Sequence, residues 1–354
     1  MSGGSFARSV DLLEKLVAIP SITGEEAALT EFVAQRCLPR GWTAEWTEVT
    51  PGRRNLFLHG GPASVVFMTH ADTVPPFVPP RRERGLLYGR GACDAKASLA
   101  AMAVAAGELA AERAAVGLLL LVGEERGSDG ALAANRRAHG ARFIVGGEPT
   151  GNRYVASGKG ALRIEASTQG VAGHSSQPES GRSAVLPLLD FLADLRRLSW
   201  PPHPVFGETT ANIGVLCAGT APNVIAENAR AEILFRTGVP VDEVLATLAP
   251  ISEGRVRLEV SYRSEPVHFR LPLGQAGQVV AFACDLPLLP SWGEPILVGP
   301  GSIGDAHGAL EKVALDEVEA AVPLYLDLAR GLLTQAEEYL EPRPAFMKHS
   351  PPAS

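Results

Sequence analysis

The stretch LLLLVGEERGSDG, residues 118–130, decides how the chain is read. Its leucines and valine form a run that is apolar on every side, as in a strand covered on both faces. The run ends on Gly123 and two adjacent carboxylates, Glu124 and Glu125. Two like charges at the end of a buried strand repel each other and resist desolvation, so something must compensate them. A surface turn would keep both wet. A bound cation would hold one and leave the other to handle protons.

Working outward, the same texture recurs on both sides. SVVFMTH (64–70) and RFIVGGE (142–148) are short apolar runs that end on His or on Gly and an acid, and ILVGPG (296–301) is a later one. SVDLLEKLVAI carries apolar residues at helical spacing, AKASLAAMAVAAGELAAE (95–112) is Ala-rich and helical, and DEVEAAVPLYLDLARGLL (316–333) predicts a final helix. Apolar strands alternating with helices predict an α/β fold with a mostly parallel central sheet and helices on both faces.

From about Lys159 the texture changes. ALRIEAST alternates like a half-exposed strand, and SAVLPLLDFLADLRRL (183–198) is an amphipathic helix. TTANIGVLCAG and VIAENARAEILFRT read as strands, VDEVLATLA as a helix and RVRLEVSYR (255–263) as a closing strand. The order βαββαβ predicts an α+β ferredoxin-like layer inserted into the first domain. The expected division is a catalytic domain over residues 1–158 and 268–340, an inserted lid or dimerisation domain over 159–267, and a flexible Pro-rich tail at 341–354.

Composition narrows the function classes. A length of 354 residues favours two domains, and 46% hydrophobic with 20% charged residues is ordinary for a globular protein. A net charge of −7 with scattered basic residues lacks the footprint of a nucleic-acid binder. The cysteines Cys37, Cys93, Cys217 and Cys284 are far apart and form no CxxC pair, the pattern of reduced thiols. No apolar run approaches the length of a membrane span, so the expectation is a cytoplasmic protein with no membrane partner.

The unusual polar residues fall at the strand ends. His70 and Asp72 follow the first apolar run, Glu124 and Glu125 the second, Glu148 the third, and His307 lies beyond the last in GPGSIGDAH (299–307). In open α/β sheets ligands gather beyond the carboxyl ends of the strands. The Gly-rich turn GRGACDAK (89–96) adds Asp94 just before a helix. Mixed His and carboxylate ligation suits zinc, and a set large enough for two ions implies a shared carboxylate, for which Asp94 is the natural bridge. Glu125 would then bind metal while Glu124, unligated, stands beside an activated water as general base.

The motifs HADTVP, GRGACDAKA, GEERGSDGA, GEPT, GVAGHSS and GPGSIGDAH together resemble, in order and spacing, the dinuclear-zinc amidohydrolases and peptidases. That family includes acetylornithine deacetylase, succinyl-diaminopimelate desuccinylase, the aminoacylases and glutamate carboxypeptidase. The resemblance runs from the first helix to about residue 335 and implies a zinc-exopeptidase-like fold with two divalent ions, Zn2+ or alternatively Co2+. It implies that His70, Asp94 and Glu148 hold one ion and that Asp94, Glu125 and His307 hold the other. Asp72 then orients a ligand imidazole, Glu124 is the base, and His174 in GVAGHSS stabilises the oxyanion, often across a dimer of the inserted domains. Asn223, Arg236 and backbone amides near Gly301 and Ser302 are assigned to the substrate. Ala97 departs from the pattern, standing where the motif usually has Gly.

Each residue alone has a plainer explanation: a structural histidine at His70, a solvated turn at Glu124 and Glu125, a loop acid at Glu148. Their coincidence at several strand ends argues against all of these at once. The expected reaction is hydrolysis of the amide bond of a small N-acyl amino acid by an acetylornithine deacetylase-like homodimer. Alternatives are a succinyl-diaminopimelate desuccinylase, a hydrolase of lysine or ornithine linked to an acidic carrier protein contacted by Arg81, Arg82 and Arg84, and a metal-binding protein without turnover. A solvated loop is the commoner explanation of those arginines.

Overall fold

The computed structural model describes residues 3–137 and 139–341. The chain forms two compact units: the first runs through Ala156 and resumes over His268–Gln278 and from Cys284, the second comprises Ser157–Val267 and Val279–Ala283. The short return of the chain into the second unit has no counterpart in the sequence reading.

The first unit is built on a six-stranded sheet in the order Thr43–Thr50, Arg53–His59, Val116–Leu121, Val65–His70, Phe143–Gly146, Glu294–Leu297. The last four strands are mutually parallel, while Thr43–Thr50 and Arg53–His59 add an antiparallel hairpin at one edge. This hairpin was not legible in the sequence, because charged and polar residues interrupt its apolar positions.

Period-two alternation sends the strand side chains to two faces. Val65, Phe67, Leu118, Leu120 and Val145 join the core formed with the helices Gly3–Val17, Lys96–Ala111 and Leu315–Tyr339. Lys96–Ala111 is buried along nearly its whole length, and its alanines let it lie close to the sheet and to both other helices. Their neighbours Val66, Met68 and Leu119 are equally buried on the other face. Among the described residues that face carries the short helix Asp129–Asn135 and single 3₁₀ turns such as Pro290–Trp292, whose Trp292 meets Phe57 edge-on.

The second unit is the expected ferredoxin-like layer. Its antiparallel sheet runs in the order Thr210–Ala218, Asn228–Thr237, Gly160–Gln169, Arg257–Ser264. Leu162, Ile164, Ala231, Ile233 and Phe235 pack against the helices Val185–Leu195 and Val241–Ser252. Thr210–Ala218 lies at the edge of this sheet and is exposed along almost its whole length.

The expected flexible tail falls, from residue 342 onward, outside the described residues; Glu341 donates its amide to the Leu271 carbonyl at 2.9 Å. Arg81 and Arg82 lie on a short exposed strand paired with Leu86–Tyr88, and Arg81 pairs with Glu83 and stacks 4.3 Å over the Tyr88 ring. No helix of the described residues is long and apolar enough to cross a membrane.

Candidate metal centre

The parallel strands place their carboxyl ends side by side, with His70 in register with Leu121. The chain then turns sharply at Gly123, whose φ of 79° suits glycine and where a Cβ would strike the Asp129 carboxylate and Arg53. Glu124 and Glu125 follow on a single 3₁₀ turn. Glu148 lies two residues past the Phe143–Gly146 strand, and Asp94 two residues before the Lys96–Ala111 helix.

Asp94 stands at the centre of this edge. Its Oδ1 is 3.2 Å from His70 Nε2 and its Oδ2 is 3.2 Å from His307 Nε2. Glu125 Oε1 is 2.9 Å from His307 Nε2, and Glu148 Oε2 is 3.9 Å from His70 Nε2. The donor atoms of His70, Asp94 and Glu148 lie within 4.8 Å of one another, as do those of Asp94, Glu125 and His307.

Asp72 ties the cluster together. His70 Nδ1 is 3.0 Å from the Asp72 carbonyl, so that nitrogen donates and Nε2 is left as the lone-pair side facing Asp94. Two acceptors then oppose each other unless a proton or a cation lies between them. The Asp72 carboxylate accepts the Glu124 amide at 3.0 Å, the Glu125 amide at 3.1 Å and the Thr23 hydroxyl at 2.8 Å. The adjacent acids of the opening stretch are therefore fixed through their backbone by the residue that orients His70.

The electrostatics show the same shortage of positive charge. Burial pushes the Glu124 and Glu148 carboxyls well above the usual range, and Glu125 and Asp285 add to this. Burial acts against the charged form of His70, yet hydrogen bonds to Asp72 and Asp94 hold its pKa well above the usual value. Asp94 and Glu125 raise His307 to about 10. Burial would raise Asp94, but the two imidazoles outweigh it and hold its carboxyl below the usual range. Imidazolium charge is thus the only compensation the cluster supplies from within, and divalent cations would replace it. The donor set of imidazole and carboxylate, compact and shared at Asp94, fits such ions.

Not every expected residue belongs to this cluster. His174, Asn223 and Arg236 belong to the second unit. There the Ser175 amide donates to the Asn223 carbonyl at 3.1 Å and His174 bridges to Val224, so His174 and Asn223 are neighbours. His174 Nδ1 accepts from the Ser176 amide and hydroxyl at 3.2 and 2.8 Å, which leaves the proton of a neutral ring on Nε2 as a donor. Arg236 lies near the opposite end of the sheet: it pairs with Ala161, whereas Asn228 pairs with Gln169. Eight residue steps of strand separate those ends by roughly 26 Å, and the chain leads on to His174 and Asn223 from the Gln169–Asn228 end.

Gly301 and Ser302 lie in the loop beyond the Glu294–Leu297 strand. The Gly301 amide already donates to Glu317 Oε2 at 2.7 Å and is committed to fixing its own loop. Ser302 is exposed, and its Oγ accepts from the Gly304 amide at 3.4 Å. Cys93 is buried with Sγ 3.2 Å from the Ser302 carbonyl, and burial beside Asp94 and Glu311 pushes its thiol up, which keeps it a packing residue. The sequence reading missed Arg90, Glu311 and Thr23. An acid four residues past His307 was the available signal for Glu311.

A parallel-sheet α/β unit with imidazoles and carboxylates converging at its strand ends, interrupted by a ferredoxin-like layer, defines the fold of the M20 peptidases. The comparisons agree. Residues 157–253 match the peptidase dimerisation domain. The chain is 33% identical to a peptidase M20 domain-containing protein of Schizosaccharomyces pombe, over 87% of this chain and 81% of that one. It is 34% identical to a protein of Aspergillus clavatus named "Probable carboxypeptidase", over 90% of this chain and 81% of that one. A crystal structure of a tripeptidase from Staphylococcus aureus superposes with a TM-score of 0.76 at 20% identity, covering 93% of this chain and 99% of that one. The chain belongs to the peptidase M20 family.

Proposed function

We propose that this M20 hydrolase cleaves the amide bond of a small N-acyl amino acid with the aid of two divalent ions, zinc by preference, in the manner of an acetylornithine deacetylase. The observation that carries the reading is Asp94, whose two carboxylate oxygens each face a different imidazole at 3.2 Å. In this reading His70, Asp94 and Glu148 hold one ion, and Asp94, Glu125 and His307 the other. Ions bound there would polarise the scissile carbonyl and make a water acidic enough to attack at neutral pH. Glu124 accepts the proton of that water and returns it to the leaving amine, a role that suits a carboxyl raised by burial. His174 donates from Nε2 to the developing oxyanion, and Asn223 and Arg236 hold the substrate carboxylate, Arg236 through its planar fork.

The separation of Arg236 from His174 and Asn223 favours a homodimer in which one chain supplies the pair and the other the arginine. The exposed edge strand Thr210–Ala218, with Val215 and Leu216 outward, is the kind of edge a second copy can extend.

A second reading, a carboxypeptidase, is favoured by the name of the Aspergillus relative. The two share chemistry, since the C-terminal residue of a peptide is itself an N-acylated amino acid with a free carboxylate. A panel of N-acetyl, N-succinyl and γ-glutamyl-linked amino acids and C-terminally free dipeptides, assayed on metal-loaded protein, separates them. Highest kcat/KM on N-acetyl basic amino acids is expected. Preference for dipeptides favours the carboxypeptidase, preference for N-succinyl substrates the desuccinylase, and turnover of none of them overturns the hydrolase reading. The carrier-linked alternative requires that neutralising Arg81, Arg82 and Arg84 raise KM for a carrier-linked substrate alone.

A further inference from the structure

Behind the metal cluster lies a buried ion pair that the chemistry above does not use. Arg90 and Glu311 are 2% and 2% exposed, and Arg90 Nη1 is 2.5 Å from Glu311 Oε2. The other carboxylate oxygen, Oε1, accepts the backbone amides of both Cys93 and Asp94 at 3.1 Å. On its far side Arg90 Nη2 donates to the His307 carbonyl at 3.4 Å and Nε to the Pro76 carbonyl at 3.3 Å. His307 adopts a φ of 61°, uncommon for a residue with a Cβ, so its backbone needs outside support. Glu311 and Arg90 thus grip the backbone of Asp94 and His307. Asp72 does the same for His70, Glu124 and Glu125 through its own hydrogen bonds.

We propose that Arg90 and Glu311 are positioning residues for one ion of the pair, the one assigned to Asp94, Glu125 and His307, through their hold on the Asp94 amide and the His307 carbonyl. This rests on the dinuclear reading above. A buried ion pair is weak grounds for a stability role, because replacing both partners with apolar residues of similar volume is often neutral or stabilising. Its geometric work is more specific. Two amides aimed at one carboxylate oxygen fix the turn that presents Asp94, and the same pair reaches the backbone of the more exposed imidazole, which the sheet does not hold directly.

Cobalt(II) titration of metal-free protein, followed by visible absorption and calorimetry, tests this. Glu148→Ala and His307→Ala assign the two binding steps, each removing a ligand from one set. Removing one charge alone risks misfolding by stranding the other, so the main variant is Arg90→Met/Glu311→Leu, with circular dichroism as the fold control. It should weaken the His307-dependent step roughly 10–100-fold, the usual cost of losing a residue that orients a ligand, and leave the Glu148-dependent step within about threefold. Arg90→Met/Glu311→Gln, which strands no charge and returns an acceptor for the two amides but not the hold on the His307 carbonyl, should recover part of the weakened step. Equal weakening of both steps, or no weakening in the folded double variant, overturns the proposal. If the wild-type chain binds fewer than two ions, the dinuclear reading itself falls.

Discussion

The two units handle their polar residues in opposite ways. In the first, His70, Asp72, Asp94 and Glu148 are buried, and a hydrogen-bonded neighbour fixes the ring or backbone of His70, Asp94, Glu124, Glu125 and His307. In the second, His174 and Asn223 are exposed, and Arg236 lies at the far end of the same sheet. The first unit contains a complete constellation within one chain, held in place before anything binds. The second sets Arg236 and the His174–Asn223 pair toward opposite ends of one sheet, which has an exposed strand edge. In the proposed reading, preorganisation resides where charges must be desolvated, while the groups assigned to substrate are left for assembly to bring together.

The largest effect should come from the first unit. Removal of divalent ions with a chelator should abolish hydrolysis, and adding back two equivalents should restore it, as followed by metal analysis and initial rate on the same samples. Activity that survives complete metal removal would leave the buried cluster as no more than a structural ion network. Next in size, Glu124→Ala should lower kcat by roughly 10²–10⁴-fold, the range of a general base, while still binding two ions. Loss of the ions together with the activity would instead make Glu124 a ligand and break the division of labour between the adjacent acids.

The contrast also explains what the sequence could disclose. The strand-end acids and imidazoles were readable because a parallel sheet converts short apolar runs into a row of neighbouring carboxyl ends, a local rule with a spatial consequence. The ferredoxin-like order was readable on a different ground, from period and turn spacing in the inserted segment. The antiparallel hairpin of Thr43–Thr50 with Arg53–His59 was not, because its charged positions hide the alternation. Glu311 was hidden because its partners, Arg90 and the amides of Cys93 and Asp94, lie more than two hundred residues away. The commitment of the Gly301 amide to Glu317 was equally invisible, since a glycine in a loop carries no sign of what its N–H meets.

A smaller effect tests the second unit directly. His174→Ala should lower kcat by roughly 10²–10³-fold, as for loss of one oxyanion donor. Mixing its subunits with those of Glu124→Ala distinguishes action within one chain from action across a dimer. With random exchange half the dimers are mixed, and half of their sites combine an intact Glu124 with an intact His174 from the other chain, so about a quarter of wild-type activity should return. No recovery after verified exchange would place His174 with the base of its own chain and remove the reason for leaving the second unit incomplete.

The smallest expected effect concerns stability, and it probes how costly the charge concentration of the first unit is. Asp285 is buried with neither carboxylate oxygen hydrogen-bonded among the described residues, and that burial raises its carboxyl to about 7 from an ordinary 3.8. Between those values the native state keeps a proton that the unfolded chain has released, so native protein binds more protons and its stability falls as pH rises. One such group contributes a slope of at most about 1.4 kcal/mol per pH unit. Below the lower value the contribution vanishes, and above the upper one the penalty is complete. Urea midpoints of the metal-free protein, compared with Asp285→Asn between pH 4.5 and 7.5, should therefore diverge in favour of the variant as pH increases. Parallel curves would mean that Asp285 ionises at no cost, and that the first unit tolerates crowded carboxylates without any cation to offset them.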